Sequence, residues 1–459
     1  MPSIVQVTVS QNSAPAPSTF QATGAMISQG GTTLANGTYA LLTQPSDLTA
    51  LLAAPLSLAS LTWSGGSVVA TTSAPIPGLS SGATFITTIS GATPAGYNGT
   101  YLATVTGAST FTYAVAANPG AETVPGSYTR PSQGDLAAMS ATFWGQSTSR
   151  AVYVLELGAG DGNTGPTALG AFETANPKTF YSYLVPRSWD NTPNFLSLVK
   201  QYEALSAKKY FFTTTTTGTY SAYAGVKSVL WSVEAPGIPL TEFSLATDFQ
   251  HTLAYAPSST NRMTPNAFSF LYGVTPYPTQ GNSALLSAIK SANGNYVGTG
   301  AEGGLSNTIL LWGTNADGND FSYWFSVDWI QLNLDLNIAN AVINGSNNAV
   351  NPLWYDQPGI DRLQDVAVNT VKSGITYGLA TGTVTRTTLS QQDFLAALDN
   401  GDFDGQNVVN AVPFSMYLAA NPSDYKAGNY AGFTVSYIPA RGFKSIVFGV
   451  LVTDFVTAG

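Results

Sequence analysis

Arg150-Ala151-Val152-Tyr153-Val154-Leu155-Glu156-Leu157 is the stretch on which the fold of this 459-residue chain turns. Its apolar residues run on with little alternation, as they do in a strand covered on both faces. Pro166–Glu173 reads as a short helix, with Pro166 suited to its first position. Thr179-Phe180-Tyr181-Ser182-Tyr183-Leu184-Val185 is a second strand. Asn191–Leu205 reads as a helix with Phe195, Leu198, Val199, Tyr202 and Leu205 on one face. Lys209-Tyr210-Phe211-Phe212-Thr213 is a third strand, and Ser221–Leu230 is expected as another helix. Strands that alternate with helices imply parallel βαβ units, so residues 129–265 are expected to form an α/β middle domain.

Upstream the chain changes character. Residues 1–130 hold 3 charged side chains, Asp47, Glu122 and Arg130, against 38 in the other 329. Such a Thr-, Ser-, Gly- and Pro-rich stretch often marks a linker, but its patterning argues otherwise. Thr84–Ile89 is dense in β-formers and Thr110-Phe111-Thr112-Tyr113-Ala114-Val115 alternates with period two. Turn signals fall at Pro77-Gly78, Ser90-Gly91, Asn98-Gly99 and Pro119-Gly120. Residues 62–128 are therefore expected as a small all-β module with a hydroxyl-rich surface. Pro77-Gly78-Leu79, Ile89–Pro94, Tyr97–Tyr101 and Thr110–Tyr113 resemble a β module that recurs in phage structural proteins.

Downstream, Asp328–Ile343 is ambiguous by period, and its length favours a helix with Asp328 as N-cap. Pro358–Ser373 is a clearer helix, stopped by Gly374. Phe414–Leu418, Gly432–Pro439 and Ser445–Phe455 read as strands.

Composition removes several functions. Charged residues are 9% of the chain and the net charge is -9, so clustered Lys and Arg for a nucleic acid are not available. With no Cys and only His251, thiolate or multi-histidine metal sites and Cys nucleophiles are excluded. Met1-Pro2-Ser3-Ile4-Val5 carries no basic stretch or long apolar run, so no secretory signal is expected. No window is apolar enough for a membrane span.

The motifs that suggest chemistry each lack a part. Gly78-Leu79-Ser80-Ser81-Gly82 matches a nucleophile elbow but lies among β turns with no His nearby. Gly158-Ala159-Gly160-Asp161-Gly162 follows a strand, yet Asn163 stands where a dinucleotide loop needs its third Gly. Asp317–Asp320 and Asp399–Gly405 lack calcium-loop spacing. His251 has Asp248 close by to orient its ring and no further partner. The Asp356/Asp361 pair could do acid–base work, and helix-start stabilisation of Pro358–Ser373 explains Asp361 equally well. The sequons at Asn36, Asn98 and Asn344 read as turns. The expectation is a protein that is not an enzyme and uses no cofactor.

The two ends carry a different signal. Val5, Val7 and Val9 lie in a short strand pattern ahead of the extended Ala14-Pro15-Ala16-Pro17. Ile446, Phe448, Val450 and Val452 alternate near the other end. Segments of this kind either pair within one subunit or add to a sheet edge on a neighbouring chain. Phe433, Val435 and Tyr437 form the candidate acceptor strand. Roughly six backbone hydrogen bonds at about 0.5–1.5 kcal/mol net give several kcal/mol per arm.

Taken in order, these parts resemble the sheath subunit of contractile bacteriophage tails. The resemblance rests on the N-terminal strand leading to Tyr39-Ala40-Leu41-Leu42, the β insertion, the α/β region, Asp328-Trp329-Ile330-Gln331, Leu353-Trp354-Tyr355 through Gly359-Ile360-Asp361, and the tail from Phe414-Ser415-Met416-Tyr417 through Phe433-Thr434-Val435 to Phe455. It implies a multidomain α+β and α/β chain, with a sheath domain assembled from both chain ends. The corresponding segments are an arm at 1–20, sheath parts at 21–61 and 266–440, the insertion at 62–128, the middle domain at 129–265 and a second arm at 441–459. It further implies a helical homo-oligomer around a tail tube protein, bounded by baseplate and tail terminator proteins, in a virion tail assembled in the host cytoplasm. Neither nucleic acid nor direct membrane insertion is implied. Lys426, Arg441 and Lys444 are candidates to face acidic tube subunits, the alternative being a solvated surface. The alternatives are another self-assembling capsid or tail component, or a glycan-binding virion surface protein.

Overall fold

A computed structural model describes residues 20–146, 150–204, 206–215, 220–300 and 307–444. The arm residues Val5, Val7, Val9, Ile446, Phe448, Val450 and Val452 lie outside them, as does Leu205. The described residues divide into two compact units, one within residues 22–255, 264–322 and 441–444, the other within residues 20–21, 256–263 and 323–440. Residues 22–61 and 266–322 thus belong to the first unit.

That unit opens with β1 (Gly24–Ser28), β2 (Thr38–Leu42) and α1 (Pro45–Leu51). Six strands then close a barrel: β3 (Leu56–Ser64), β4 (Ser67–Thr72), β5 (Thr84–Ser90), β6 (Gly99–Gly107), β7 (Thr110–Ala114) and β8 (Ser127–Tyr128), in the order β3-β4-β7-β6-β5-β8. Residue 62 lies inside β3. In β7 the alternation holds: Phe111 and Tyr113 point inward with Phe85 and Tyr128, and the Phe85 and Phe111 rings meet edge to face at 5.4 Å. Outside, hydroxyls pair across strands, Thr88 with Thr100 at 2.8 Å and Thr106 with Thr110 at 3.0 Å. This hydrates the barrel surface with few charges.

The chain returns through α2 (Gln133–Trp144) to β9 (Val152–Glu156), α3 (Thr164–Ala175), β10 (Ser182–Leu184), α4 (Pro193–Lys200), β11 (Tyr210–Thr215), β12 (Val229–Val233), α5 (Leu245–Leu253), α6 (Ser283–Ser291), β13 (Asn295–Thr299) and β14 (Thr308–Leu311). Among the described residues these give an eight-stranded sheet, β14-β13-β12-β11-β10-β1-β9-β2. Its six inner strands are parallel, and β2 and β14 run antiparallel at the edges. Both faces are covered, which is why the strand sequences do not alternate. Phe211 packs under α4 with Phe195 and Trp189, while its neighbour Phe212 meets Phe249 of α5 on the other face at 5.3 Å.

Several local expectations change. α3 starts at Thr164, so Pro166 is its third residue. α4 ends at Lys200, and Tyr202 follows it in a turn, where it still packs on Phe211 at 5.7 Å. Ser221–Leu230 is not a helix. A short 3-10 turn at Tyr220–Tyr223 leads into β12, whose Val229-Leu230-Trp231 core suits a fully buried strand.

The second unit contains most of α7 (Phe321–Ser346), then α8 (Gln357–Thr376), β15 (Thr383–Thr387), α9 (Gln391–Asp399), β16 (Gln406–Ala411), α10 (Phe414–Ala420), α11 (Pro422–Ala427) and β17 (Phe433–Ser436). α7 is a helix, as its length predicts, but it starts seven residues before Asp328, which is buried mid-helix and not an N-cap. Asp356 caps α8 instead, accepting from the Gly359 amide at 2.8 Å. Gly374 does not stop α8: it lies inside the helix, where the Tyr437 hydroxyl and the Trp329 ring leave no room for a Cβ. Phe414–Leu418 is helical, not a strand; Pro413 precedes its first turn and the Tyr417 ring is the side chain it buries. Strands β15, β16 and β17 form a three-stranded sheet in that order. No helix among the described residues is long and apolar enough to cross a membrane.

Candidate functional site

The topology of the large sheet creates one fold-level crevice. β1 lies inside the sheet; the chain adds β9 on one side of it, then crosses to β10 on the other. In open parallel sheets the crevice outside the carboxyl ends of the strands, at such a reversal, is where ligands bind. Here it is a cavity of about 380 Å³, lined by Gln29 after β1, Pro186 and Arg187 after β10, Asp135 of α2 and the barrel residues Leu79 and Phe85. The barrel roofs it closely. A Cβ on Gly78, which has φ +72, would lie 2.2 Å from the Gly160 amide nitrogen. The elbow-like Gly78–Gly82 segment is therefore a docking turn against the Gly158–Gly162 loop.

The charged groups facing this crevice are satisfied by one another. Arg187 donates to Asp135 at 2.6 Å, to both oxygens of Glu234 at 2.8 Å, and to the Glu242 carbonyl at 2.6 Å. Burial opposes the guanidinium charge, and Asp135 with Glu234 more than offsets this, holding its pKa above the ordinary value. Gln29 is spent on the Asp161 carbonyl and the Trp189 indole. Glu156, at the end of β9, is wrapped by the loop after β1. Four of the five guanidinium N–H groups of Arg187 are thus already engaged within the protein. Arg187→Met should leave two facing carboxylates and cost about 2–4 kcal/mol. Arg187→Lys should recover only part, because an ammonium cannot span both carboxylates; urea denaturation of both variants measures this.

The remaining candidates resolve into structural roles. Asp161 accepts from the Asn163 and Thr164 amides and so opens α3. Asp317 closes its own turn on Asn319. Asp361 is engaged by Gln357 and Arg386. His251 stacks edge-on to Tyr255 at 5.2 Å, and burial lowers its pKa to about 4. Asp248 faces Asn266, at 3.5 Å, and Asp320 in place of the imidazole.

The strand edges are the other candidate. β17 is an outer strand, paired to β16 by Phe433↔Ala411 and Val435↔Val409, with both side chains half-buried. Tyr437 lies just beyond it, its hydroxyl 3.2 Å from that of Ser326. β15 is the opposite edge. Of the basic residues, Lys426 is exposed at the end of α11, Arg441 donates to Asn319 at 3.1 Å, and Lys444 donates to the Gly318 carbonyl at 2.9 Å.

Sequence reasoning did not single out Glu156 or Arg187. Glu156 carries a signal, a lone acid in a buried-type strand. Arg187 carries none, since its partners lie 52 and 47 residues away.

No family model matches the chain, and no curated protein matches its sequence. Among solved structures it is similar to a sheath tail protein from Listeria innocua, with 11% identity, a TM-score of 0.41, and coverage of 78% of this chain and 85% of that one.

Proposed function

We propose that the chain is a structural subunit of a contractile phage tail sheath. It would polymerise helically around a tail tube by exchanging terminal strands between subunits, and its contraction would drive the tube through the host envelope. The observation that carries this reading is the three-stranded sheet in which β17, the acceptor expected from Phe433 and Val435, is an outer strand. An unprotected edge is an aggregation hazard in a monomer and a joint in a polymer. The alternating sequence patterns at Val5, Val7 and Val9 and at Ile446, Phe448, Val450 and Val452 would supply the matching arms. The crevice supports a non-enzymatic role, because its charges are consumed internally. In this reading the arms are Val5, Val7, Val9, Ile446, Phe448, Val450 and Val452. Tube, baseplate and tail terminator proteins are the partners, and the virion tail is the location.

Deleting residues 1–12 tests the reading. The truncated chain should remain a folded monomer, with unchanged circular dichroism, and should form no tubes by negative-stain electron microscopy. Tubes of normal length from the truncated chain would exclude the arm model.

A further inference from the structure

The loop after β1 has the geometry of an anion site whose anion belongs to the chain itself. The Glu156 carboxylate receives the backbone amides of Gly30 at 2.6 Å, Gly158 at 2.7 Å and Thr32 at 3.0 Å, and the hydroxyls of Thr32 at 2.7 Å and Ser28 at 2.8 Å. Five donors thus converge on two oxygens of a side chain that is 1% exposed. Among the described residues no Lys or Arg forms an ion pair with it. The charge is held by backbone and hydroxyl dipoles, as bound anions are held in backbone nests. The loop is built for this. Gly158 has φ +86, and a Cβ there would strike the Asn36 amide at 2.5 Å; Gly30 has φ +80 and lies against Ala159. The position also fits, since the end of the first strand beside the chain reversal is where parallel sheets present amides to ligand anions.

We infer that this loop is an oxyanion-binding nest permanently occupied by Glu156, and that it takes a small carboxylate from solution when the Glu156 side chain is shortened. The carboxylate is an internal ligand that ties residues 28–32 to the end of β9. This goes beyond the sheath reading and stands or falls separately from it.

The test is chemical rescue of the full-length Glu156→Ala variant, whose missing atoms match acetate in size. Thermal midpoints are compared in sodium acetate and in sodium chloride at equal ionic strength. In chloride the variant should melt about 10 °C below the parent chain. Acetate should restore a substantial part of that loss and leave the parent midpoint the same in both salts. Equal midpoints for the variant in both salts, or equal stabilisation of the parent by acetate, would overturn the inference. If the variant does not fold in chloride, its refolding yield is the readout: a gain in acetate supports the nest, and no gain overturns it. Glu156→Gln fills the same space but points amide hydrogens at amide donors, so it should be destabilised and unresponsive to acetate. A Gln variant with the parent midpoint would show that the anion is not what the loop holds.

Discussion

Glu173→Ala is expected to destabilise the α/β unit by about 3–5 kcal/mol, and Lys209→Met by a similar amount. The two side chains are 2% and 5% exposed, with Lys209 Nζ 2.8 Å from Glu173 Oε2. Tyr183 donates to the other Glu173 oxygen, and Lys209 also donates to the Phe180 carbonyl. Burial raises the Glu173 pKa and lowers that of Lys209, while the attraction between them works in the opposite sense for each. Burial is the larger effect for both, so desolvation outweighs the attraction within the pair. Removing one member takes away the attraction and leaves the other charge buried. The double variant Glu173→Leu/Lys209→Met should lose far less than the sum of the single losses, because no unpaired charge remains. Urea denaturation of the four proteins closes the cycle, and additive losses would mean that the two groups act independently.

Lys209 also illustrates what a sequence can show. The apolar runs around it, Val152–Glu156, Ser182–Leu184 and Tyr210–Thr215, are legible as buried strands because both sheet faces are covered and no polar alternation interrupts them. The barrel is legible from the opposite pattern, the inward Phe111 and Tyr113 between outward threonines. Short apolar segments are where the reading fails. Phe414–Leu418 has a composition compatible with either structure, and its helix is decided by tertiary packing of Tyr417. Asp328 and Gly374 each look like a helix-terminus signal in the sequence, yet both occupy tight positions inside helices. The crevice was invisible for a different reason. The Arg187 cluster joins α2 and the ends of β10 and β12, which meet only once the strand order is known.

Asp248→Asn is expected to raise the thermal midpoint at pH 8 by about 5 °C and to leave it nearly unchanged at pH 4. Asp248 is fully buried on α5, and burial pushes its pKa up to about 8, against the opposing hydrogen bond from the Asn266 amide and with a smaller push from Asp320. In the unfolded chain the same group titrates near about 4. The folded protein thus holds a proton that the unfolded chain releases between these values. The stabilising contribution is complete below the unfolded pKa and is lost as pH rises through 8. Asparagine keeps the shape of the neutral acid and has no proton to lose, so it removes this alkaline loss. His251, on the same helix, acts in the other direction. Burial lowers its pKa to about 4, so its contribution is present above about 6.5 and is lost as pH falls toward 4. Between about pH 4 and 6.5 the two contributions oppose each other, so the parent chain should lose stability mainly from about pH 6.5 to 8; Asp248→Asn should remove that loss and expose the His251 loss below about pH 6.5. Midpoints measured from pH 4 to pH 8 separate the two groups. An alkaline limb that persists unchanged in Asp248→Asn would assign that loss to Asp320, Glu234 or Glu173, the other carboxyl groups whose pKa burial raises in this unit.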